Sequence, residues 1–143
     1  MSNNKGLVLD YRILLEAALQ DNPVYNMLLK YENQVDFRTP DISFPTVRRA
    51  LTQALERKGA DPEAAFEVLT GLMKIVEPIN APLYEVFGPP ARERVGAGDS
   101  RLWPVVAVAL LFESPIWTHD EDFFGTGIAV WKTDTIELYL KKS

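Results

Sequence analysis

The run WPVVAVALLF at 103–112 is apolar on every face a helix could present. A helix of that kind has to be covered all round. At about half of the roughly 20 residues a bilayer span requires, it reads as the central helix of a soluble domain rather than as a membrane segment. What covers it is set by the rest of the chain, where short β-type runs alternate with helical stretches. The strands are expected at KGLVLDYR (5–12), VDFRTPD (35–41), IVEPI (75–79), PIWTH (115–119) and GIAVWKT (127–133). Helices are expected at 13–22, at 23–34 with Pro23 in the first turn, at 43–59 capped by Ser43 and stopped by Gly59, and at 61–74 capped by Asp61. Two short helical pieces over 81–95, the apolar helix within 100–114, and a closing helix from Asp134 capped by Thr133 or Asp134 complete the pattern.

Strands alternating with helices pair in parallel, so the expected architecture is α/β, a three-layer α/β/α sandwich around a mainly parallel sheet of about five strands. With 143 residues, 1–143 make one domain, and there is no internal repeat or linker. The 47% apolar and 24% charged content is that of an ordinary globular chain. Cysteine is absent, which rules out thiolate metal sites and fits a reducing cytoplasm; MSNNKGLVLD does not read as a signal peptide. A net charge of −5 argues against default nucleic-acid binding. The nearest approach to a basic patch is Arg38, Arg48, Arg49, Arg57 and Lys58, read first as a solvated face.

In a parallel sheet, functional groups gather outside the carboxyl ends of the strands. Asp10 ends the first strand, and Thr118, His119, Asp120, Glu121 and Asp122 follow the fourth. Carboxylates from separate strand ends, with Asp99 as a further candidate, can hold Mg²⁺ or Mn²⁺ for phosphodiester hydrolysis. The same acidic trio can equally cap a turn, and spacing alone leaves both readings open. No Walker or dinucleotide glycine loop and no G-x-S-x-G elbow is present. His119 is the only histidine; it reads as a hydrogen-bonding partner rather than as one of several zinc ligands. The three tryptophans, and the stripe Tyr25, Met27, Leu28 and Tyr31, read as core, and Phe123 and Phe124 as anchors of the acidic turn.

The segment LWPVVAVALLFESPIWTHDEDFFGTGIAVWKT (102–133), together with LVLDYR (7–12), resembles the PIN-domain family of α/β nucleases, which includes toxin ribonucleases of bacterial toxin–antitoxin pairs. The likeness spans almost the whole chain and implies a PIN-like sandwich and Mg²⁺- or Mn²⁺-dependent cleavage of RNA. It also implies an antitoxin protein as partner and a homodimer. It would carry metal binding onto Asp10, Asp120 and Asp122 and a supporting role onto Thr118; Asp99 joins Asp10 and Asp120 as a candidate catalytic and metal residue, with Arg12 and His119 as supporting candidates. The sequence departs from the family pattern at three places. Leu102 stands where the family has an acid at the start of the apolar helix, so Asp99 could substitute only if the GAGD loop folds back. Thr46, Val47 or Arg48 stands where the third helix should carry a glutamate, with Asp41 the nearest carboxylate. Arg12 replaces a small polar residue and could pair with Asp10 or Asp120, placing a guanidinium where the cation would lie. Two readings follow: a metal-dependent endoribonuclease with an incomplete acidic site, or a PIN-fold binding module without catalysis.

Overall fold

The computed structural model describes residues 4–19 and 23–141. Five strands form a single sheet: β1 (Lys5–Leu9), β2 (Val35–Pro40), β3 (Val76–Ile79), β4 (Ile116–Trp117) and β5 (Val130–Trp131). Their order is β3-β2-β1-β4-β5, and every neighbouring pair is parallel. The helices are α1 (Tyr11–Ala18), α2 (Pro23–Tyr31), α3 (Ser43–Arg57), α4 (Glu63–Ile75), α5 (Ala81–Tyr84), α6 (Gly88–Val95), α7 (Trp103–Phe112) and α8 (Ile136–Leu140). No helix among the described residues is long and apolar enough to cross a membrane.

Strand alternation sorts the core into two layers. Leu7, Leu9, Phe37 and Trp117 point into a cluster closed by α1, α2, α3, α4 and α8. Val8, Ile79 and Ile116 point the other way, onto α6 and α7. Helix α7 packs Val105 through Ala109 inside that second layer, as its uniformly apolar sequence requires. The stripe on α2 also sides with the core: Leu28 and Tyr31 are buried, and Tyr25 and Met27 pack against them.

Several boundaries move for local reasons. Strand β1 stops at Leu9, and Tyr11 and Arg12 already belong to α1. Helix α3 is not capped by Ser43, because Ser43 lies inside the first turn with its hydroxyl 2.7 Å from Thr39 Oγ1. Pro62 takes the cap position of α4, and Asp61, one residue earlier, accepts from the Glu63 amide at 3.0 Å. Neither Thr133 nor Asp134 caps the closing helix, which starts after Thr135; Thr133 Oγ1 instead accepts from Trp117 Nε1 at 3.1 Å. Residues 20–22 and Lys142, included in the expected helices, lie outside the described residues. Strands β4 and β5 keep two residues each, because β4 meets only Val8 and Leu9 of β1. The chain between them turns at Gly127 (φ 82°), where a Cβ would sit 2.6 Å from the Arg94 guanidinium. That guanidinium donates to the Thr126 carbonyl at 2.8 Å.

Phe123 is buried, but Phe124 is half exposed with the Lys132 ammonium 5.6 Å above its ring, so only the first anchors the acidic turn. The basic group is likewise divided. Arg38 lies 3.9 Å over Phe112 and pairs with Asp36, Arg48 covers Phe66 at 4.5 Å, and Arg49 faces a cavity at the sheet edge.

Candidate functional site

Because all strands run one way, their carboxyl ends share an edge, and β1 and β4 are neighbours there. Asp10 follows β1 and Thr118 follows β4; both are buried. The Asp10 amide donates to the Trp117 carbonyl at 3.2 Å. Thr118 Oγ1 donates to Asp10 Oδ2 at 2.8 Å and accepts from the Asp120 amide at 3.0 Å. One hydroxyl thus ties the two aspartates together across the sheet.

Both carboxylate oxygens of Asp120 and of Asp99 have partners from this chain. Asp120 Oδ1 accepts from the Asp122 amide at 2.9 Å, capping the turn Glu121–Phe123. Asp120 Oδ2 lies 3.0 Å from Arg12 Nη1. Asp99 caps the turn Ser100–Leu102 by accepting from the Arg101 amide at 3.0 Å. Its two oxygens also take a fork from Arg101, Nε at 3.0 Å and Nη2 at 2.8 Å. Asp122 itself is exposed. His119 turns to a separate hollow with Glu16 and Met27, its Nε2 2.7 Å from Thr133 Oγ1 and 4.0 Å from Glu16 Oε2.

Asp10, Arg12, Asp99, Arg101 and Asp120 line one cavity of about 270 Å³, with Leu102, Thr46 and Arg49 among its other walls. Asp10, Asp99 and Asp120 therefore reach one place, whereas Asp122 and His119 are not among its lining residues. Among the described residues, no group of three or more Asp, Glu or His side chains is placed to hold a metal ion. A divalent ion needs carboxylate and water oxygens around it. Here two of the three carboxylates already hold guanidinium groups, so the donor set in this arrangement does not fit the ion.

The departures seen in the sequence have structural counterparts. Leu102 is buried where an acid would stand. Thr46 spends its hydroxyl on the Ile42 carbonyl at 2.8 Å, and Val47 is in the core. Asp41 serves a different purpose, accepting from the Ala81 amide and from the Tyr84 hydroxyl, each at 3.0 Å. Arg101 carries no expectation from the sequence, and Arg49 only that of a solvated basic face. The first had a local cue, a basic residue two positions after a capping acid. The second had only its helical spacing from Ile42 and Thr46.

Burial pushes the Asp10 carboxyl above its ordinary value of 3.8; the Thr118 hydroxyl and the Arg12 amide and guanidinium pull it back only in part. Arg101 holds Asp99 below that value. The signs are opposite. A carboxyl raised in the folded state binds its proton more tightly there, so its contribution to stability falls as pH rises through 3.8 and the folded value, and stays lost at neutral pH. A lowered one contributes above 3.8 and loses that contribution as pH falls. Asp10→Asn should therefore raise the melting temperature at pH 7, with the gain shrinking toward acid where Asp10 is protonated in both states. Thermal melts across that range check this; a variant less stable at neutral pH, with no pH trend, would contradict it.

The family model for the PIN domain matches residues 8–141, and the chain belongs to that family. Solved structures carry the same fold. PAE2754 from Pyrobaculum aerophilum aligns with a TM-score of 0.70 at 17% identity, over 96% of this chain and 89% of that one. VapBC2 from Rickettsia felis, solved bound to a DNA fragment from their promoter, aligns at 0.63 and 15% identity, over 89% and 98%. FitAcB from Neisseria gonorrhoeae aligns at 0.58 and 16%, over 87% and 96%. No curated protein matches the chain at a significant level.

Proposed function

We propose that this PIN-domain chain is a binding module whose acidic site is closed by its own arginines. The observation that carries the reading is the Arg12 guanidinium 3.0 Å from Asp120 Oδ2, in the place the family likeness gives to a cation. Arg101 on Asp99 acts in the same direction. Partner binding, by an antitoxin-type protein or a second copy in a homodimer, is the role assigned to it in place of hydrolysis. The likeness to VapBC2 supports that role, and the lack of cysteine supports a cytoplasmic setting.

The second reading is a Mg²⁺- or Mn²⁺-dependent endoribonuclease of toxin type, with Asp10, Asp99 and Asp120 as ligands and Asp122 behind them. Its specific support is that Asp10 and Asp120 are still joined through Thr118. Incubation with fluorogenic single-stranded RNA in millimolar Mn²⁺ separates the two. The binding-module reading expects cleavage no faster than in buffer. Metal-stimulated cleavage that Asp120→Asn abolishes would replace it with the nuclease.

A further inference from the structure

We propose that the closed cavity is a binding site for a small phosphate monoester, held by Arg12, Arg49 and Arg101 without a metal. The inference rests on the binding-module reading and names what that site takes.

The acceptors in the cavity are largely consumed while donors are left over. Asp99 and Asp120 have both oxygens engaged, and Asp10 Oδ2 is taken by Thr118. On the donor side, Arg12 uses Nε toward the Tyr11 hydroxyl (3.3 Å) and Nη1 toward Asp120, which leaves Nη2. Arg101 uses Nε and Nη2, which leaves Nη1. Arg49 has neither hydrogen bond nor ion pair among the described residues, although it lines the cavity. A wall with spare guanidinium N–H groups and occupied carboxylates suits a ligand made of acceptors. A phosphate monoester offers three terminal oxygens and close to two negative charges, and guanidinium forks match it geometrically. A carboxylate offers two oxygens and one charge, and so answers fewer of these donors.

Part of the lining is apolar. Ile42, Leu102, Pro104 and Val105 contribute to it, and Ile42 is half exposed. Ile42, Thr46 and Arg49 recur at helical spacing along the start of α3, so one helix face presents an apolar group at one end and a cation at the other. With about 270 Å³ available, the cavity admits a phosphate carrying one ring-sized apolar group.

The test is calorimetric titration of the full chain in EDTA with phenyl phosphate, inorganic phosphate and benzoate. Binding of phenyl phosphate at tens to hundreds of micromolar is expected, with inorganic phosphate and benzoate each at least tenfold weaker. Arg49→Gln should weaken both phosphates tenfold or more without changing the melting temperature, since Arg49 holds nothing in the fold. Ile42→Ala should weaken phenyl phosphate alone, and Arg48→Gln, which lies on Phe66, should change neither. No phosphate binding by millimolar concentration, equal binding of benzoate, or affinity unchanged in Arg49→Gln would each overturn the proposal. Because EDTA removes divalent ions, that failure is separate from failure of the binding-module reading, which the RNA assay decides.

Discussion

Replacing Arg12 by Ser and Leu102 by Asp together is expected to give a protein that binds one Mn²⁺ at tens of micromolar, where the native chain binds none up to millimolar. The native obstacle is electrostatic. A guanidinium 3.0 Å from Asp120 repels an incoming dication, and even at an effective dielectric near 20 two unit charges about 4 Å apart interact by about 4 kcal/mol. Arg12→Ser removes that charge and leaves Asp120 Oδ2 free. Leu102→Asp adds a carboxylate at the cavity wall, where the family likeness places one. A hundredfold gain corresponds to about 2.7 kcal/mol, well within what one lost cation and one added anion supply. Arg12 is half exposed, and its ion pair is worth at most about 1 kcal/mol, so Arg12→Ser alone should fold normally and bind Mn²⁺ in the millimolar range. Calorimetry on both variants, with circular dichroism to confirm folding, checks the series. A folded double variant silent to Mn²⁺ would show that Arg12 is not what closes the site.

Trp117→Ala should be the most destabilising single truncation near the site, at about 3–5 kcal/mol. Trp117 is fully buried in the layer beneath α1, its indole donates to Thr133, and its carbonyl receives the Asp10 amide. Domains of this size are stable by only about 5–15 kcal/mol, so the loss is a large share of the total. Trp103 and Trp131 are half-buried and pack beside Tyr84 and Tyr139 at 5.8 Å; their truncations should cost visibly less. Guanidinium melts of the three variants rank them, and a Trp117→Ala midpoint equal to the other two would refute the assignment.

Much of the fold was legible because it depends on period and on chain-local residues. The uniformly apolar 103–112 run placed α7 inside, and alternation in LVL and IW set which side chains face which layer. The caps were less legible because side chains compete for partners in three dimensions. Ser43 has the composition of a cap, yet its hydroxyl goes to Thr39, and Thr133 is claimed by Trp117. Strand lengths at β4 and β5 follow from how much of β1 is available, which no local pattern encodes. For the site, the Asp10–Thr118 bond spans 108 residues in sequence; the parallel topology put both groups at one edge, and the family likeness gave Thr118 a supporting role. The Arg12–Asp120 contact was foreseen as one of two pairings. The Asp99–Arg101 fork joins residues only two apart, a local pairing that competes with metal ligation for the same carboxylate.

In the proposed binding module, Arg12 on Asp120 and Arg101 on Asp99 keep a divalent ion out. The most direct measurement is a calorimetric titration of the native protein with Mn²⁺ at neutral pH, run beside Asp120→Asn. No heat of binding is expected up to millimolar Mn²⁺ in either protein. Binding at tens of micromolar in the native chain, abolished by Asp120→Asn, would contradict it, because the ion would then have displaced Arg12 unaided.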